Sequence, residues 1–211
     1  MKKYIIPIVI LCVSICISIL FFPYLPDSMA SHWGINGNVD GYSSRLFNVI
    51  FFPIIQIFLF LLLYIVPRID PKRKNILKFE GKFHLFVYSI LIFMLLLQIY
   101  VYLWNTGVQI PVEIVMPLLM GGLFLVIGEM VKDAKQNYTI GIRTPWTLSS
   151  EVVWDKTHRL GGRLFKICGI LSILSIFFSS YAFITVIGTV ILTTIYLFIY
   201  SYLEFKKEIG V

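Results

Sequence analysis

The sequence predicts an all-α, polytopic membrane protein built from a bundle of six transmembrane helices. Three observations lead to this fold class: a mean hydropathy of +0.87, a charged fraction of only 14% in 211 residues, and a series of long apolar runs. A soluble chain of this length has too little interior to hide so much apolar surface. The surrounding solvent must therefore be lipid, in which a helix needs about 20 mostly apolar residues to cross.

Six segments have this length and lack charged residues in their central portions. They cover residues 4–25, 46–66, 83–104, 111–131, 163–180 and 182–203. Their apolar runs are continuous and do not alternate with a period of two, which is typical of helices and not of barrel strands. The first segment follows two lysines and resembles a secretory signal, but its length favours an uncleaved span.

The spans divide the chain into two predicted modules. Residues 1–82 are expected to form an N-terminal two-helix module with an extracellular loop at 23–45. Residues 83–211 are expected to form a four-helix module with a cytoplasmic loop at 132–162.

The distribution of positive charge predicts the orientation. With six spans both termini lie on one side, and all 18 Lys and Arg residues except Arg45 fall on that side. Cytoplasmic loops are enriched in Lys and Arg, so both termini are expected in the cytoplasm of a multi-pass cell-membrane protein. The net charge of +7 then indicates contact with an anionic lipid bilayer, and not direct binding of nucleic acid.

The outer loop is expected to be a compact extracellular hairpin. Asn36-Gly37 and Asp40-Gly41 are dipeptides that readily adopt the positive φ of tight turns. His32 is a possible metal ligand there, but one histidine with two carboxylates is weak support for a metal site. The other interpretation is a hydrogen-bonded histidine beside a tryptophan that anchors the loop at the membrane interface.

The inner loop is expected to contain an amphipathic segment. Gly141 permits a tight bend, Pro145 disfavours helix at Thr144, and Ser149 or Thr147 is the expected N-cap of a helix that begins near Glu151. Apolar and basic residues then recur at helical spacing on two separate faces. The apolar face holds Val153, Thr157, Leu160 and Leu164, and the basic face holds Lys156, Arg159, Arg163 and Lys166.

Such a helix is predicted to lie along the inner leaflet, with Trp154 at the interface, before the chain turns into the fifth span. The alternative is a merely solvated connector, which would not need the tryptophans.

Two carboxylates within the predicted spans raise the possibility of transport. Glu113 and Glu129 lie near opposite ends of the fourth span, and acidic residues in membrane helices often serve ion or proton pathways. Pro117 and the Gly121-Gly122 pair are expected to kink this span or to let a neighbouring helix approach closely.

The inner loop resembles the signature of the SdpI family of bacterial immunity proteins. The matching residues are Asn137, Gly141, Ile142, Arg143, Thr144, Pro145, Trp146, Thr147, Trp154, His158 and Gly162. The outer loop resembles an uncharacterised hairpin module that often precedes this family's motif. Its matching residues are Pro26, His32, Trp33, Asn36, Gly37, Asp40 and Tyr42. The four-helix part of the chain is accordingly interpreted as an SdpI-like module.

The resemblance implies a membrane protein that protects a Gram-positive cell from a secreted peptide toxin and recruits a small repressor protein to the membrane when toxin is bound. The candidate ligand- and partner-binding residues on the inner side are Asn137, Gly141, Arg143, Thr144, Pro145, Trp146, Trp154 and His158. Those on the outer side are His32, Trp33, Asn36 and Asp40. No cofactor is expected.

Two other functional classes were weighed against this interpretation. An enzyme is disfavoured because the sequence contains no Gly-x-Ser-x-Gly or His-Glu-x-x-His motif. A transporter or proton-coupled exporter that uses Glu113 or Glu129 is the main alternative, although the spans show no pair of broken helices in matching positions.

Overall fold

The computed structural model describes residues 2–210 and confirms an all-α membrane architecture. Within these residues, six helices are long and apolar enough to cross a bilayer. The helices are α1 Lys2–Phe21, α2 Arg45–Ile69, α3 Arg73–Leu77, α4 Glu80–Asn105, α5 Val112–Asp133, α6 Pro145–Ser149, α7 Glu151–Leu174 and α8 Ala182–Glu208. Short 3-10 helices cover Phe22–Tyr24 and Ser175–Tyr181, and strands β1 Ser28–Trp33 and β2 Val39–Ser44 form an antiparallel hairpin.

Hydroxyl side chains fix where several helices begin. Ser44 caps α2 by accepting a hydrogen bond from the Phe47 amide at 3.2 Å, and Ser150 caps α7 by accepting one from Val153 at 3.2 Å. Such caps satisfy amides that have no partner inside the helix. The predicted cap of α7, Ser149 or Thr147, is therefore wrong, although the predicted start at Glu151 is confirmed.

The predicted bend between a surface helix and the fifth span is also wrong. The helix α7 is continuous from Glu151 to Leu174, so the amphipathic segment is the first part of a spanning helix. Gly161 and Gly162 lie within this helix without interrupting it, and the side chains of Ile142 and Lys132 lie close against them. The predicted periodicity is confirmed, since Val153 and Thr157 are buried while the basic residues Lys156, Arg159 and Arg163 are exposed.

Glycines bring α5 and α7 into close contact. A Cβ atom at Gly128 would lie 2.7 Å from the Gly162 carbonyl, and one at Gly121 would lie 2.8 Å from the Gly169 carbonyl. The seven-residue spacing within each helix places its two glycines on one face. Small residues permit this close packing in membranes, so the close approach predicted for Gly121 is confirmed. A Cβ at Gly122 would meet nothing within 4 Å.

Polar side chains join α1, α2 and α4. Ser14 donates to Gln98 at 2.6 Å and accepts from Gln56 at 2.9 Å. Gln98 also donates to Ser18 at 2.9 Å, whose hydroxyl lies 3.1 Å from that of Tyr102. All five residues are buried. Hydrogen bonds of this kind link helices where lipid supplies no driving force for their association.

The six-span topology places both termini at one end of the bundle and the hairpin at the other. At the terminal end, Asp70 accepts a hydrogen bond from the Tyr138 amide at 2.9 Å, and Lys156 pairs with Glu204 at 2.7 Å. The helix α4 packs against α1 and α2 as well as against α5. A module boundary near residue 82 stays a prediction.

Candidate functional site

The candidate residues lie at opposite ends of the bundle, because the inner loop joins α5 to α7 and the hairpin joins α1 to α2. The structure therefore does not bring the eight inner and four outer residues into one site.

Asn137 organises the irregular backbone of the inner loop. Its amide group donates to the carbonyls of Lys135 and Ile140 at 2.8 and 2.9 Å. Its carbonyl oxygen accepts from the amides of Thr139 and Ile140 at 2.9 and 2.6 Å. Asn137 is fully buried. A side chain with this many backbone partners holds the loop in shape and has little capacity left to bind a ligand.

Trp154 and His158 form a buried stacked pair against Gly141. Their rings lie 3.9 Å apart at an angle of 16°, and both side chains are fully buried. The Trp154 indole N–H donates to the Ala134 carbonyl at 2.8 Å. The prediction that Trp154 lies at the membrane interface is therefore wrong, because the inner loop covers the face of α7 that carries it.

His158 is hydrogen-bonded through both ring nitrogens. Nδ1 lies 2.8 Å from the Trp154 carbonyl, and Nε2 accepts from the Ile142 amide at 2.9 Å. These partners fix the tautomer that carries its proton on Nδ1. Gly141 has a φ of 115°, and a Cβ there would overlap the His158 ring. The bend predicted at Gly141 is thus required both by backbone conformation and by close packing.

Thr144 and Trp146 connect the inner loop to α8. The Thr144 and Thr147 side chains cap each other's amides at the start of α6, and Pro145 follows the cap at the first helical position, where it needs no amide partner. The Thr144 hydroxyl also donates to Ser201 at 3.0 Å. The Trp146 ring lies 4.9 Å from that of Phe198.

Arg143 is the charged residue among the inner candidates, and its side chain is exposed. Its guanidinium donates to the Tyr138 carbonyl at 2.6 Å, which leaves further N–H donors available. Exposed basic residues are also found at this end of α5 and α7, and they include Lys132, Lys156, Arg159 and Arg163. This end of the bundle therefore presents positive charge to whatever approaches it.

Glu129, one of the two carboxylates considered for an ion pathway, pairs with Lys166 and lies 3.5 Å from Lys82. These contacts are consistent with a helix-linking role, and a pathway through Glu129 stays a prediction. Within residues 2–210, no three His, Cys, Asp or Glu side chains are grouped closely enough to hold a metal ion.

The outer hairpin has its turn where the sequence predicted it. Gly37 has a φ of 73°, and its amide donates to the Gly34 carbonyl at 3.0 Å. Asp40-Gly41 does not form a second turn, because both residues lie in β2 and Gly41 pairs with His32 across the hairpin. His32 hydrogen-bonds Asp40, so the expected hydrogen-bonded histidine is confirmed.

Trp33 and Asn105 anchor the hairpin on the bundle. The Trp33 ring lies 5.3 Å from that of Tyr100 and 5.4 Å from that of Trp104. The Asn105 amide bonds the backbone of Ala30 in both directions, at 2.8 and 3.0 Å. Asn36, the remaining outer candidate, is exposed at the turn.

A cavity of about 390 Å³ lies between the hairpin and the adjacent helix ends. We call it the outer cavity. Its walls come from β1 and from the outer ends of α2, α4, α5 and α8, and include Trp33, Phe52, Tyr100, Glu113, Met116 and Phe183. The sequence gives no local sign of this cavity, because its walls are far apart along the chain. Only an acidic residue at a span end, Glu113, pointed to this position.

The chain is similar to known proteins over its whole length. Residues 133–201 match the SdpI/YfhL protein family, and residues 9–57 match a domain of unknown function, DUF1648. The chain is 29% identical to the Immunity protein SdpI of Bacillus subtilis (strain 168), over 100% of this chain and 99% of that protein. No solved structure matches. The family match covers α6, α7 and most of α8 together with the inner motif.

Proposed function

We propose that this chain, which matches the SdpI/YfhL protein family over residues 133–201, is an immunity protein of the cell membrane that protects its host from a secreted antimicrobial peptide toxin. The observation that carries this proposal is the end-to-end similarity to the Immunity protein SdpI. The six helices that are long and apolar enough to cross a membrane support this proposal, because a toxin that acts on the membrane would meet the protein there. No catalytic step is required for such protection.

The orientation that we propose places both termini and the inner motif in the cytoplasm. Every Lys and Arg except Arg45 lies at the terminal end of the bundle, which matches the usual charge bias of cytoplasmic loops. These residues would also contact anionic lipid headgroups, with each contributing about 1 kcal/mol near the surface.

Labelling of single cysteines tests this orientation. The three native cysteines are replaced by alanine, and Asn36→Cys or Arg143→Cys is then introduced at an exposed position. An impermeant maleimide should label position 36 on intact cells and position 143 only after permeabilisation. The opposite pattern would invert the topology and assign the hairpin to the cytoplasm.

A toxin challenge tests the immunity proposal. The chain is expressed in a toxin-sensitive Bacillus strain that lacks its own immunity protein, and survival is compared with that of an empty-vector control. Survival should rise when the protein is present in the membrane. Vector-like survival, with the full amount of protein in the membrane, would contradict the proposal.

We further propose that the exposed basic residues at the inner end dock a small cytosolic repressor when toxin is bound. The helix α5 lines the outer cavity at one end and packs along α7, which carries the inner motif. This contact gives a continuous route between the two ends of the bundle. Toxin can change the inner surface only if it binds two conformations of the bundle with different affinities.

A further inference from the structure

The outer cavity has mostly apolar and aromatic walls. Phe52, Tyr100, Met116 and Phe183 contribute to it together with the ring of Trp33. Its volume of about 390 Å³ falls in the range of about 300–1,000 Å³ that is typical of small-ligand sites. An occupant that fills it must therefore present an apolar group.

One wall of the cavity carries an unpaired carboxylate. Glu113 reaches under the hairpin turn, where a Cβ at Gly37 would overlap its oxygens. Within residues 2–210 it makes no hydrogen bond or ion pair. The other two carboxylates at this end have partners, since Asp27 pairs with Arg45 at 2.7 Å and Asp40 bonds His32. The charge at the cavity is therefore negative and favours a cationic ligand.

The Trp33 side chain, which lines the cavity, carries a hydrogen-bond donor that lacks an acceptor within residues 2–210. The indole N–H of Trp33 is shielded from solvent and has no partner in the part of the chain that the structure describes. Leaving such a group unsatisfied costs free energy, and a carbonyl on a bound molecule would relieve this cost.

We infer that the outer cavity binds a peptide segment that presents an apolar side chain beside a basic group. Glu113 accepts hydrogen bonds from the basic group, Trp33 donates to a peptide carbonyl, and the aromatic walls surround the apolar side chain. This inference rests on the proposed function, because it names the chemistry of the toxin segment that the immunity protein recognises.

Two matched dipeptides test the inference. The probes are 4-bromophenylalanyl-leucine amide with a free N-terminal ammonium and its N-acetylated, neutral form. Binding to the full-length protein in phosphatidylglycerol nanodiscs is measured by titration calorimetry, and tryptophan quenching by the bromine locates the probe. The ammonium probe should bind at least about tenfold more tightly than the acetylated probe, which lacks a charge-assisted hydrogen bond.

Single substitutions identify the contacts. Glu113→Gln should remove the preference for the ammonium probe, and Trp33→Phe should weaken both probes. Asp27→Asn is the matched control, because it removes the same charge from the same end of the bundle. The Asp27 side chain is 92% exposed and lies outside the cavity. This substitution should leave the affinities for both probes unchanged. Thermal unfolding confirms that the variants are folded. If the wild-type protein bound the two probes with equal affinity, this result alone would overturn the inference.

Further measurements distinguish a failure of the cavity inference from a failure of the proposed function. Protection of cells by a protein that binds neither probe would overturn the cavity inference alone. Tight binding of the ammonium probe by a protein that gives no protection would overturn the proposed function and leave the cavity assignment standing. If phosphatidylethanolamine added to the nanodiscs displaced the ammonium probe, the cavity would be a lipid-headgroup site, and the peptide assignment would be wrong.

Discussion

The inner motif and the outer hairpin are both polar stretches in an apolar chain, but their side chains are used differently. In the inner loop Asn137, Trp154 and His158 are buried and hydrogen-bonded within the protein. At the hairpin, the Trp33 N–H has no partner within the described residues 2–210, and Glu113 lies beside a cavity. A specific sequence signature can therefore mark what a loop needs to fold, while the groups available to a ligand lie elsewhere.

The difference follows from how the backbone amides and carbonyls of each loop find hydrogen-bond partners. The strands β1 and β2 bond each other, so few hairpin side chains are needed for this purpose. The inner loop from 134 to 144 has no regular structure and is partly buried, so its amides and carbonyls need side-chain partners. Asn137, Thr147 and His158 supply them.

The largest effect that we expect comes from Trp154→Ala. This substitution removes a fully buried ring and the hydrogen bond to Ala134, and it should lower the free energy of unfolding by about 3–5 kcal/mol. Thermal unfolding in mild detergent measures the loss. The control is Trp146→Ala, which removes a partly exposed ring on α6 and should cost clearly less. Equal losses would show that the stacked pair with His158 has no special role in folding.

A smaller but still large effect is expected for Asn137→Ala. At least four backbone hydrogen bonds are lost, and each buried group left unpaired costs about 1–3 kcal/mol, although water entering the loop would offset part of this cost. The unfolding temperature should fall, and protease sensitivity should rise within 134–150. Asn36→Ala, an amide removed from the exposed turn of the hairpin, is the control and should change neither. An unchanged unfolding temperature in Asn137→Ala would contradict the organising role of this residue.

The spans and the periodicity of α7 could be predicted from the sequence, because hydrophobic length and helical spacing are local properties. The roles of Trp154 and His158 could not. An amphipathic helix has the same sequence pattern whether its apolar face meets lipid or another part of the protein. Only the path of the loop, which lies over α7, decides between the two.

The outer cavity was equally hidden from sequence reasoning. Its walls come from five elements distributed between Ser31 and Ile187, and no local pattern links Trp33 to Glu113. The hairpin turn was predictable, since Asn36-Gly37 favours positive φ. Asp40-Gly41 also favours positive φ and was therefore predicted to form a turn. This prediction was wrong, because the dipeptide lies in β2 and pairs with β1.

Arg143→Ala tests a residue that belongs to the inner motif but is exposed. Its hydrogen bond to the Tyr138 carbonyl is open to water, so the loss of stability should be no more than about 1 kcal/mol. Recruitment of the repressor to membranes, measured by fractionation after toxin exposure, should be abolished. The comparison variant Arg159→Ala removes one exposed charge of the same basic surface outside the motif and should weaken recruitment without abolishing it. Full recruitment by Arg143→Ala would exclude this residue from the dock.

The smallest stability effect is expected for His32→Ala. His32 and Asp40 bond each other, but their side chains are 71% and 53% exposed, and exposed pairs of this kind contribute about 0.2–1 kcal/mol. A double-mutant cycle with Asp40→Ala measures the coupling from thermal unfolding, and the same variants are scored for toxin protection. We expect weak coupling and reduced protection, because the pair shapes the strand beside the outer cavity. A loss of stability as large as that of Asn137→Ala would show that hairpin side chains are also folding determinants, and the contrast between the two ends would no longer hold.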